Sequence, residues 1–265
     1  MSITAIALVL AASFLHALWN ARTHAGDDRR ATLAASYLFG ALLLSPWLLT
    51  NPPTEVWPLV LLSGTIHGGY LWALSGAYDR GQLATTYPIA RGSAPILVAI
   101  VAVWFLDQTP SAATLGGAAA VAVGLALIGN VAWGVGERMS IAMALATGCF
   151  IASYTLVDAR GASEVNAWGF FSGSSLVAVC VVSALGAVSP TRLRRSARAG
   201  AIVGAASASG YALILLAYTR ADAANVATLR STSILFGLAL VPRTLTRKLI
   251  TGAVLAVAGS VLVAL

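Results

Sequence analysis

Charged residues are scarce in this sequence. They make up 9% of 265 residues, whereas a water-soluble domain carries about a quarter. Acidic residues are the scarcer kind, with 9 aspartates and glutamates against 16 lysines and arginines. The connections between apolar segments are too short to hold an independent catalytic module. This composition excludes an ordinary soluble enzyme and indicates a chain embedded in a membrane.

Patterns that carry catalysis or bind cofactors are also lacking. The sequence has no His/Glu metal-ligand spacing, no phosphate-binding glycine loop and no paired carboxylates within an apolar segment. Ser209-Gly210 loosely resembles an intramembrane serine protease, but no histidine follows His67 to serve as its base. Cys149 and Cys180 lie within apolar segments, where we expect inert packing. We therefore expect no enzyme, no catalytic residue, no cofactor and no metal ion.

Long apolar runs fill the sequence instead. Hydrophobic residues reach 58% and the mean hydropathy is +0.85, and a bilayer-spanning helix needs ~20 apolar residues. We predict an all-α integral membrane protein with ten transmembrane helices. The first should be a retained helix, because no basic residue precedes its apolar run and no convincing cleavage site follows. The predicted segments are 2–21, 31–50, 57–78, 83–106, 111–131, 138–158, 165–188, 199–219, 221–241 and 248–265.

Basic residues are concentrated in alternate connections between the segments. The even-numbered connections hold only Arg160 and Arg220. Because cytoplasmic loops are enriched in lysine and arginine, the odd-numbered connections should be cytoplasmic and both termini outside. A net charge of +7 spread over loops in this way does not indicate nucleic-acid binding. The odd-numbered connections hold Arg22, Arg29, Arg30, Arg80, Arg138, Arg192, Arg194, Arg195, Arg198, Arg243, Arg247 and Lys248.

The two halves of the chain resemble each other in order, at an offset of about 135 to 141 residues. We predict two five-helix repeats, 1–135 and 136–265. Five is an odd number, so the second repeat enters the membrane from the opposite face, as in the inverted repeats of secondary transporters. The matched positions are Trp19 and Tyr154, Asn20 and Thr155, Tyr70 and Tyr211, Tyr78 and Tyr218, Arg91 and Arg230, Gly117 and Gly252, and Gly124 and Gly259.

Arg91 and Arg230 occupy matching points inside apolar segments. A guanidinium stays charged and costs several kcal/mol at bilayer depth unless it is compensated. The alternatives are structural: Arg230 could satisfy carbonyl groups of a neighbouring helix, and Arg91 could extend its side chain to the interface. Pro88 and Pro95 flank Arg91 and predict an interrupted helix, a device of transporter sites. The pair predicts an anion-binding site between the repeats.

Aromatic and polar residues near these arginines complete the predicted substrate site. His16 and His67 either relay a coupling proton or serve as packing residues of the helices. We expect the cavity to be lined by Trp19, Asn20, Tyr70, Tyr87, Tyr154, Tyr211 and Ser231.

Several strings resemble bacterial EamA-type members of the drug/metabolite transporter superfamily, and the resemblance covers essentially the whole chain. It implies ten helices in two inverted repeats that carry small metabolites, often outward. In that family a glutamate often follows the arginine of the ninth transmembrane segment, and this chain has Ser231 at that position. The strings are Leu15-His16-Ala17-Leu18-Trp19-Asn20, Ser63-Gly64-Thr65-Ile66-His67-Gly68-Gly69-Tyr70, Ala77-Tyr78-Asp79-Arg80-Gly81, Tyr87-Pro88-Ile89-Ala90-Arg91-Gly92, Ala152-Ser153-Tyr154-Thr155-Leu156-Val157-Asp158-Ala159-Arg160-Gly161 and Leu229-Arg230-Ser231-Thr232-Ser233.

These observations predict a secondary transporter, an exporter, of a small metabolite that bears an anionic group or is zwitterionic. It should work by alternating access in the bacterial cytoplasmic membrane. A flippase for a lipid-linked solute and a membrane-embedded enzyme are the alternatives. Besides its substrate, the expected partners are membrane lipids. The glycines of the fifth and tenth segments should pack helices closely, either within one protomer or in a homodimer.

Overall fold

A computed structural model describes residues 2–105, 111–134, 137–218, 220, 229–241 and 245–263. All regular secondary structure in these residues is helical, with one 3₁₀ turn at Thr54–Val56 before α3. The all-α class predicted from sequence is confirmed. The helices are α1 Ile3–His24, α2 Arg29–Thr50, α3 Trp57–Arg80, α4 Leu83–Phe105, α5 Ala112–Gly134, α6 Arg138–Glu164, α7 Ala167–Ala184, α8 Pro190–Arg195, α9 Ala197–Tyr218, α10 Ser233–Ala239 and α11 Arg247–Val263.

Short polar residues set several helix boundaries. The Asp28 carboxylate accepts a hydrogen bond from the Ala31 amide and so caps α2. Asn166 caps α7 through two backbone amides. Ser189 caps α8, which opens with Pro190 in the first turn, where a missing N–H costs nothing.

Within the described ranges, four helical stretches are long and apolar enough to cross a membrane: Ile3–His24, Arg29–Thr50, Arg138–Asp158 and Ala167–Ala184. The outward surface of the bundle carries many large apolar side chains, including Ile3, Leu49 and Leu42, which are 84%, 80% and 62% exposed. Exposed apolar side chains combined with buried serine, threonine and asparagine suit a protein surrounded by lipid. Ten spans remain a prediction.

Each half of the chain packs mainly against the other. α3 lies against α6 and α7, while α9 lies against α1 and α2. α2 also packs on α7, and α5 on α11. The main buried core is built from α2, α3 and α4 together with residues of α1, α6, α7 and α9. The predicted boundary between repeats, at residues 135 and 136, lies outside the described residues.

Glycine allows α5 and α11 to touch along their backbones. A methyl group placed on Gly252 would lie 2.6 Å from the Gly124 carbonyl oxygen, and one on Gly259 would lie 2.5 Å from the Gly117 carbonyl oxygen. The predicted glycine packing is therefore found within one chain. A homodimer through the same glycines stays a prediction without support from this packing.

Three local expectations need correction. α4 runs without interruption through Pro88 and Pro95, since neighbouring helices hold it in place although the Ala84 and Arg91 carbonyls lose their usual amide donors. The helical path is broken instead at Ser231–Thr232, where a turn with i→i+3 hydrogen bonds precedes α10. Of the predicted ninth segment, residues 221–228 lie outside the described residues.

The cysteines and the sixth segment also differ from expectation. Cys149 and Cys180 are exposed, so they lie on outward helix faces and are not packed inside. α6 continues six residues beyond the predicted end at Asp158 to Glu164, where an Arg160–Glu164 ion pair one turn apart supports its last turns. Asp158 therefore lies inside a helix.

Candidate functional site

A cluster of rings occupies the middle of the bundle. Trp19, Tyr70 and Tyr87 are 7%, 6% and 2% exposed and share one buried core, with Tyr154 packed against it. The His16 ring lies edge-on to Trp19 at 5.0 Å between centroids and tilted to Tyr87 at 6.2 Å. Tyr70 and Tyr154 meet edge to face at 5.7 Å. Five of the residues predicted from sequence are thus gathered from α1, α3, α4 and α6.

Arg91 and Arg230 both lie within electrostatic range of three of these groups. The charges of the two guanidinium groups act on the His16 imidazole and on the Tyr87 and Tyr154 hydroxyls. Arg91 is half-buried in α4, and Arg230 is half-buried just before the turn that leads into α10. Arginines from the two halves of the chain therefore act electrostatically on one region.

Arg91 has no carboxylate partner in the part of the chain that the structure describes. Among the described residues, no ion pair joins its guanidinium to an aspartate or glutamate. A buried or half-buried guanidinium without a carboxylate favours binding of an anion from outside the chain. The Arg91 carbonyl oxygen is a second polar group at this site. It receives no helical hydrogen bond because residue 95 is a proline and has no N–H.

Two hydroxyl groups beside the arginines are buried without partners. The Tyr87 hydroxyl and the Ser233 hydroxyl face each other without meeting hydrogen-bond geometry, and neither has another partner in the described part of the chain. Gly237 creates this approach, since a Cβ there would lie 2.6 Å from the Tyr87 ring. A buried hydroxyl without a partner is costly, so these groups are available as donors to a bound solute.

Ser231 follows Arg230 in the turn and is 8% exposed. The next residue, Thr232, donates its side-chain hydroxyl to the Leu229 carbonyl at 2.6 Å and so stabilises the break in the helix. The break brings Arg230, Ser231 and the start of α10 to the level of the ring cluster. This local structure was expected near Arg91 and is found near Arg230.

Asn20 and Tyr211 have other contacts. Asn20 accepts a hydrogen bond from the Tyr78 hydroxyl at 2.6 Å and donates one to the His16 carbonyl at 2.7 Å, so its amide fixes α1 to α3. The Tyr211 ring packs edge-on against Trp168 at 6.1 Å and Phe171 at 5.2 Å. The structure therefore shows Asn20 in hydrogen bonds that join α1 to α3, and the Tyr211 ring in contact with the rings of α7.

Sequence reasoning missed a polar group formed by α3 and α6. The Ser63 hydroxyl donates to Asp158 Oδ1 at 2.5 Å, and Asp158 Oδ2 lies 3.8 Å from His67 Nε2. All three residues are buried, at 0% to 8% exposure. The His67 ring stacks on Tyr154 at 4.1 Å, which joins this group to the ring cluster. Asp158 was missed because the sixth segment was predicted to end there.

An ionic network ties together one end of the bundle. Arg192 donates two hydrogen bonds of 2.8 Å to the Asp28 carboxylate, and Arg29 pairs with Asp79 at 3.1 Å. The Arg192 hydrogen bonds hold the pKa of the Asp28 carboxyl below its usual value. The network joins three odd-numbered connections. These are connections that are rich in basic residues, and they meet at one end of the bundle. Glu137, of the fifth connection, joins this end by accepting a hydrogen bond from Thr85 at 2.9 Å.

A shallow groove of about 390 Å³ runs over the outside of α4, α5 and α6. Its lining is apolar apart from Asn130, and neither arginine takes part in it. The other lining residues are Ile89, Leu125, Ala126, Gly129, Ile141 and Leu145.

Seven chains of solved structures match this chain. One of them, a crystal structure described only as that of a protein, superposes with a TM-score of 0.59 at 16% sequence identity. The match covers 99% of this chain and 96% of that one. At this identity it shows a fold shared over the whole length. No protein-family model and no curated protein matches the chain.

Proposed function

We propose that the protein is a secondary transporter of a small anionic metabolite, working by alternating access between two inverted five-helix repeats in the bacterial cytoplasmic membrane. The observation that carries the proposal is that the charges of Arg91 and Arg230 both act on the same imidazole and the same tyrosine hydroxyls. Transporters of inverted-repeat design bind substrate where the repeats meet. An exporter is the form that the sequence resemblance favours.

A pseudo-twofold relation between the halves supports the repeat architecture. Exchanging residues at an offset of 135 converts the contact between Gly117 and Gly259 into the contact between Gly252 and Gly124. An exchange of residues at offsets of 138 to 140 positions relates a second pair of contacts. Gly64 of α3 meets the Ser174 carbonyl of α7, and Gly204 of α9 meets the Ser36 carbonyl of α2. Backbone contacts between residues far apart in sequence thus support the proposed pseudo-twofold relation.

The chemistry of the site favours an anion. Two guanidinium groups and the hydroxyls of Tyr87 and Ser233 are donors that converge on a solute, and no described carboxylate pairs with Arg91. Among the described residues Asp158 is the acidic residue that is buried, and it already accepts a hydrogen bond from Ser63. A carboxylate or phosphate group fits this set of donors, because guanidinium binds both in bidentate geometry.

A flippase for a lipid-linked solute is the second candidate. The apolar groove over α4, α5 and α6 favours it, since an acyl chain could lie there while a polar head enters the bundle. The groove includes Ile89, which is close in sequence to Arg91. The absence of both arginines from the groove lining makes a water-soluble anion the better-supported substrate.

The buried Ser63, His67 and Asp158 do not have the arrangement of a nucleophilic catalyst. Ser63 donates its hydroxyl hydrogen to Asp158 at 2.5 Å, and His67 Nδ1 lies nearer to the Ser63 carbonyl oxygen, at 3.0 Å, than to the Ser63 hydroxyl oxygen, at 3.3 Å. In a serine nucleophile the hydroxyl donates to the histidine, and the carboxylate orients that histidine. The order of contacts here favours a polar site without covalent chemistry.

Transport by reconstituted protein tests the proposal. Vesicles would be loaded with lactate, succinate, glutamate and phosphate, and the loss of each anion would be followed by mass spectrometry. At least one anion should leave faster than from protein-free vesicles. Arg230→Leu protein should insert and fold yet give only the protein-free rate, whereas Arg160→Leu, which removes an exposed guanidinium paired with Glu164, should keep the full rate.

Two results would contradict the proposal. One is the same leakage with and without protein for all anions. The other is normal transport by the Arg230→Leu variant, which would make Arg230 a structural residue. Movement of a fluorescent lipid between leaflets, without movement of the free anions, would support the flippase instead.

A further inference from the structure

The His67–Asp158 pair lies deep in the bundle beside the anion site. His67 is 8% exposed in α3, Asp158 is 8% exposed in α6, and their side chains come together where those helices pack. A buried carboxylate costs free energy unless its oxygens have partners. One oxygen of Asp158 is paired with Ser63 at 2.5 Å, whereas the other is directed at His67 across 3.8 Å.

The hydrogen positions follow from the partners of each atom. The Ser63 carbonyl oxygen can only accept, so His67 Nδ1, 3.0 Å away, carries a hydrogen and donates it. The only hydroxyl hydrogen of Ser63 goes to Asp158 Oδ1. A neutral His67 therefore presents an unprotonated Nε2 to an ionised Asp158. Two lone-pair atoms face each other across 3.8 Å, with no hydrogen between them.

A single added proton would remove this mismatch. On His67 Nε2 it gives an imidazolium beside a carboxylate, and on Asp158 Oδ2 it gives a neutral hydrogen-bonded pair. We propose that His67 and Asp158 form a proton-binding site whose occupancy is coupled to that of the anion at Arg91 and Arg230. The proton-binding part stands on this geometry, and the coupling part rests on the transport function proposed above.

The His67–Asp158 pair is surrounded by tyrosine rings and by residues that do not titrate. A proton is therefore the ligand that suits the pair best. Tyr37 of α2, Tyr70 of α3 and Tyr154 of α6 lie at ring distances of 5.7, 6.4 and 4.1 Å from His67. The glycines of α3 that pack on α7 meet only serine, valine and alanine there, none of them titratable. Both arginines reach Tyr154 through electrostatic interaction, and so does Asp158.

Tyr154 therefore connects two sites at different depths. The depth of each site can be measured along its helix from the connection between α3 and α4. His67 lies ~20 Å of helix rise from Arg80, and Arg91 lies ~12 Å from Leu83. The sites are thus close enough to influence each other through a poorly screened interior. An anion at the arginines favours the added proton, and by linkage the proton favours the anion to the same extent, so the coupled process is co-transport of both.

Nuclear magnetic resonance of the purified protein tests the proton site without any solute. The chain has three histidines, His16, His24 and His67, and ¹⁵N-labelled imidazoles would be titrated, with His67 assigned by loss of its signal in His67→Gln. The His67 signal should titrate, and Asp158→Asn should shift its midpoint. Arg160→Gln, an exposed change two residues further along α6, should leave the midpoint in place. A His67 signal that does not titrate between pH 4 and pH 9, or that ignores Asp158→Asn, would overturn the site.

Anion binding at several pH values tests the coupling. Sulfate is the probe, because its charge does not change from pH 6 to pH 8. Its affinity in the wild type should rise about tenfold from pH 8 to pH 6, as expected for unit charges on the order of 10 Å apart. His67→Gln and Asp158→Asn should bind with no pH dependence, while His24→Gln should behave as the wild type.

The outcomes separate the two proposals. No sulfate-induced stabilisation at any pH would contradict the anion site, while the histidine titration still decides the proton site. Sulfate binding without pH dependence in the wild type would overturn the coupling and leave the anion site standing. Stabilisation by Na⁺ at constant pH, lost in Asp158→Asn, would replace the proton with a metal cation and overturn the inference.

Discussion

Tyrosine-to-phenylalanine substitutions at two buried positions separate a solute-binding hydroxyl from a structural one. Tyr87 and Tyr78 are 2% and 1% exposed, so each change removes one oxygen from the core. The Tyr87 hydroxyl has no hydrogen-bond partner in the described part of the chain, whereas the Tyr78 hydroxyl donates to Asn20 at 2.6 Å. The same substitution should therefore have opposite effects at the two positions.

The magnitudes follow from hydrogen-bond energetics. Tyr87→Phe removes an unsatisfied polar group and should stabilise the empty protein by about 1 kcal/mol. It should also weaken anion binding about ten- to a hundredfold, since a hydrogen bond to a charged group contributes about 1.5–3 kcal/mol. Tyr78→Phe leaves the Asn20 carbonyl oxygen buried without its donor, so it should destabilise by about 1–3 kcal/mol and leave anion affinity unchanged.

The assay is thermal unfolding in detergent, with and without the anion that most raises the wild-type melting temperature. The reasoning fails if Tyr87→Phe destabilises the empty protein as much as Tyr78→Phe does. It also fails if Tyr87→Phe keeps the full anion-induced shift, because the hydroxyl would then not reach the solute.

Three further predictions concern packing, pH and topology. Gly252→Ala should destabilise by about 1–3 kcal/mol, because its methyl group meets the Gly124 carbonyl. Gly116→Ala, with nothing within 4 Å, should stabilise by about 0.5–1 kcal/mol, and unfolding midpoints compare the two. The Asp28–Arg192 pair lowers the pKa of Asp28, so its stabilisation is present above the unfolded pKa of about 4 and lost as pH falls through the folded value. Unfolding of Arg192→Gln should therefore differ from wild type at pH 7 and converge with it in acid; a constant difference would contradict this. A C-terminal reporter active only in the cytoplasm should stay silent, and strong activity would reverse the predicted orientation.

Much of the helical framework could be predicted because apolar length and connection composition are local properties of the sequence. The predicted segments for α1 to α7 agree with the described helices to within several residues. The repeat offset relates Arg91 to Arg230, and both act electrostatically on His16, Tyr87 and Tyr154, while a shared anion site stays a prediction. Glycine spacing in the fifth and tenth segments likewise predicted a close helix contact.

The remainder depends on contacts between distant residues. Ser63 carries no sequence signal, and Asp158 sat at a predicted segment end, so their meeting with His67 was invisible until α3 and α6 were placed together. The prolines around Arg91 suggested a break, but packing keeps α4 whole and the break falls at Ser231. Tyr211 matched Tyr70 by repeat position, yet its ring packs against α7 because symmetry of position does not fix side-chain contacts.

The double-substitution cycle on Arg91 and Arg230 tests the central claim most directly. Affinity for the best-stabilising anion would be measured in wild type, Arg91→Leu, Arg230→Leu and the double variant. Two guanidinium groups on one anion predict a large loss from either single change and little further loss from the second, a coupling expected only for residues that share a ligand. Losses that simply add, or an anion bound normally by either single variant, would contradict a site shared by the two halves of the chain.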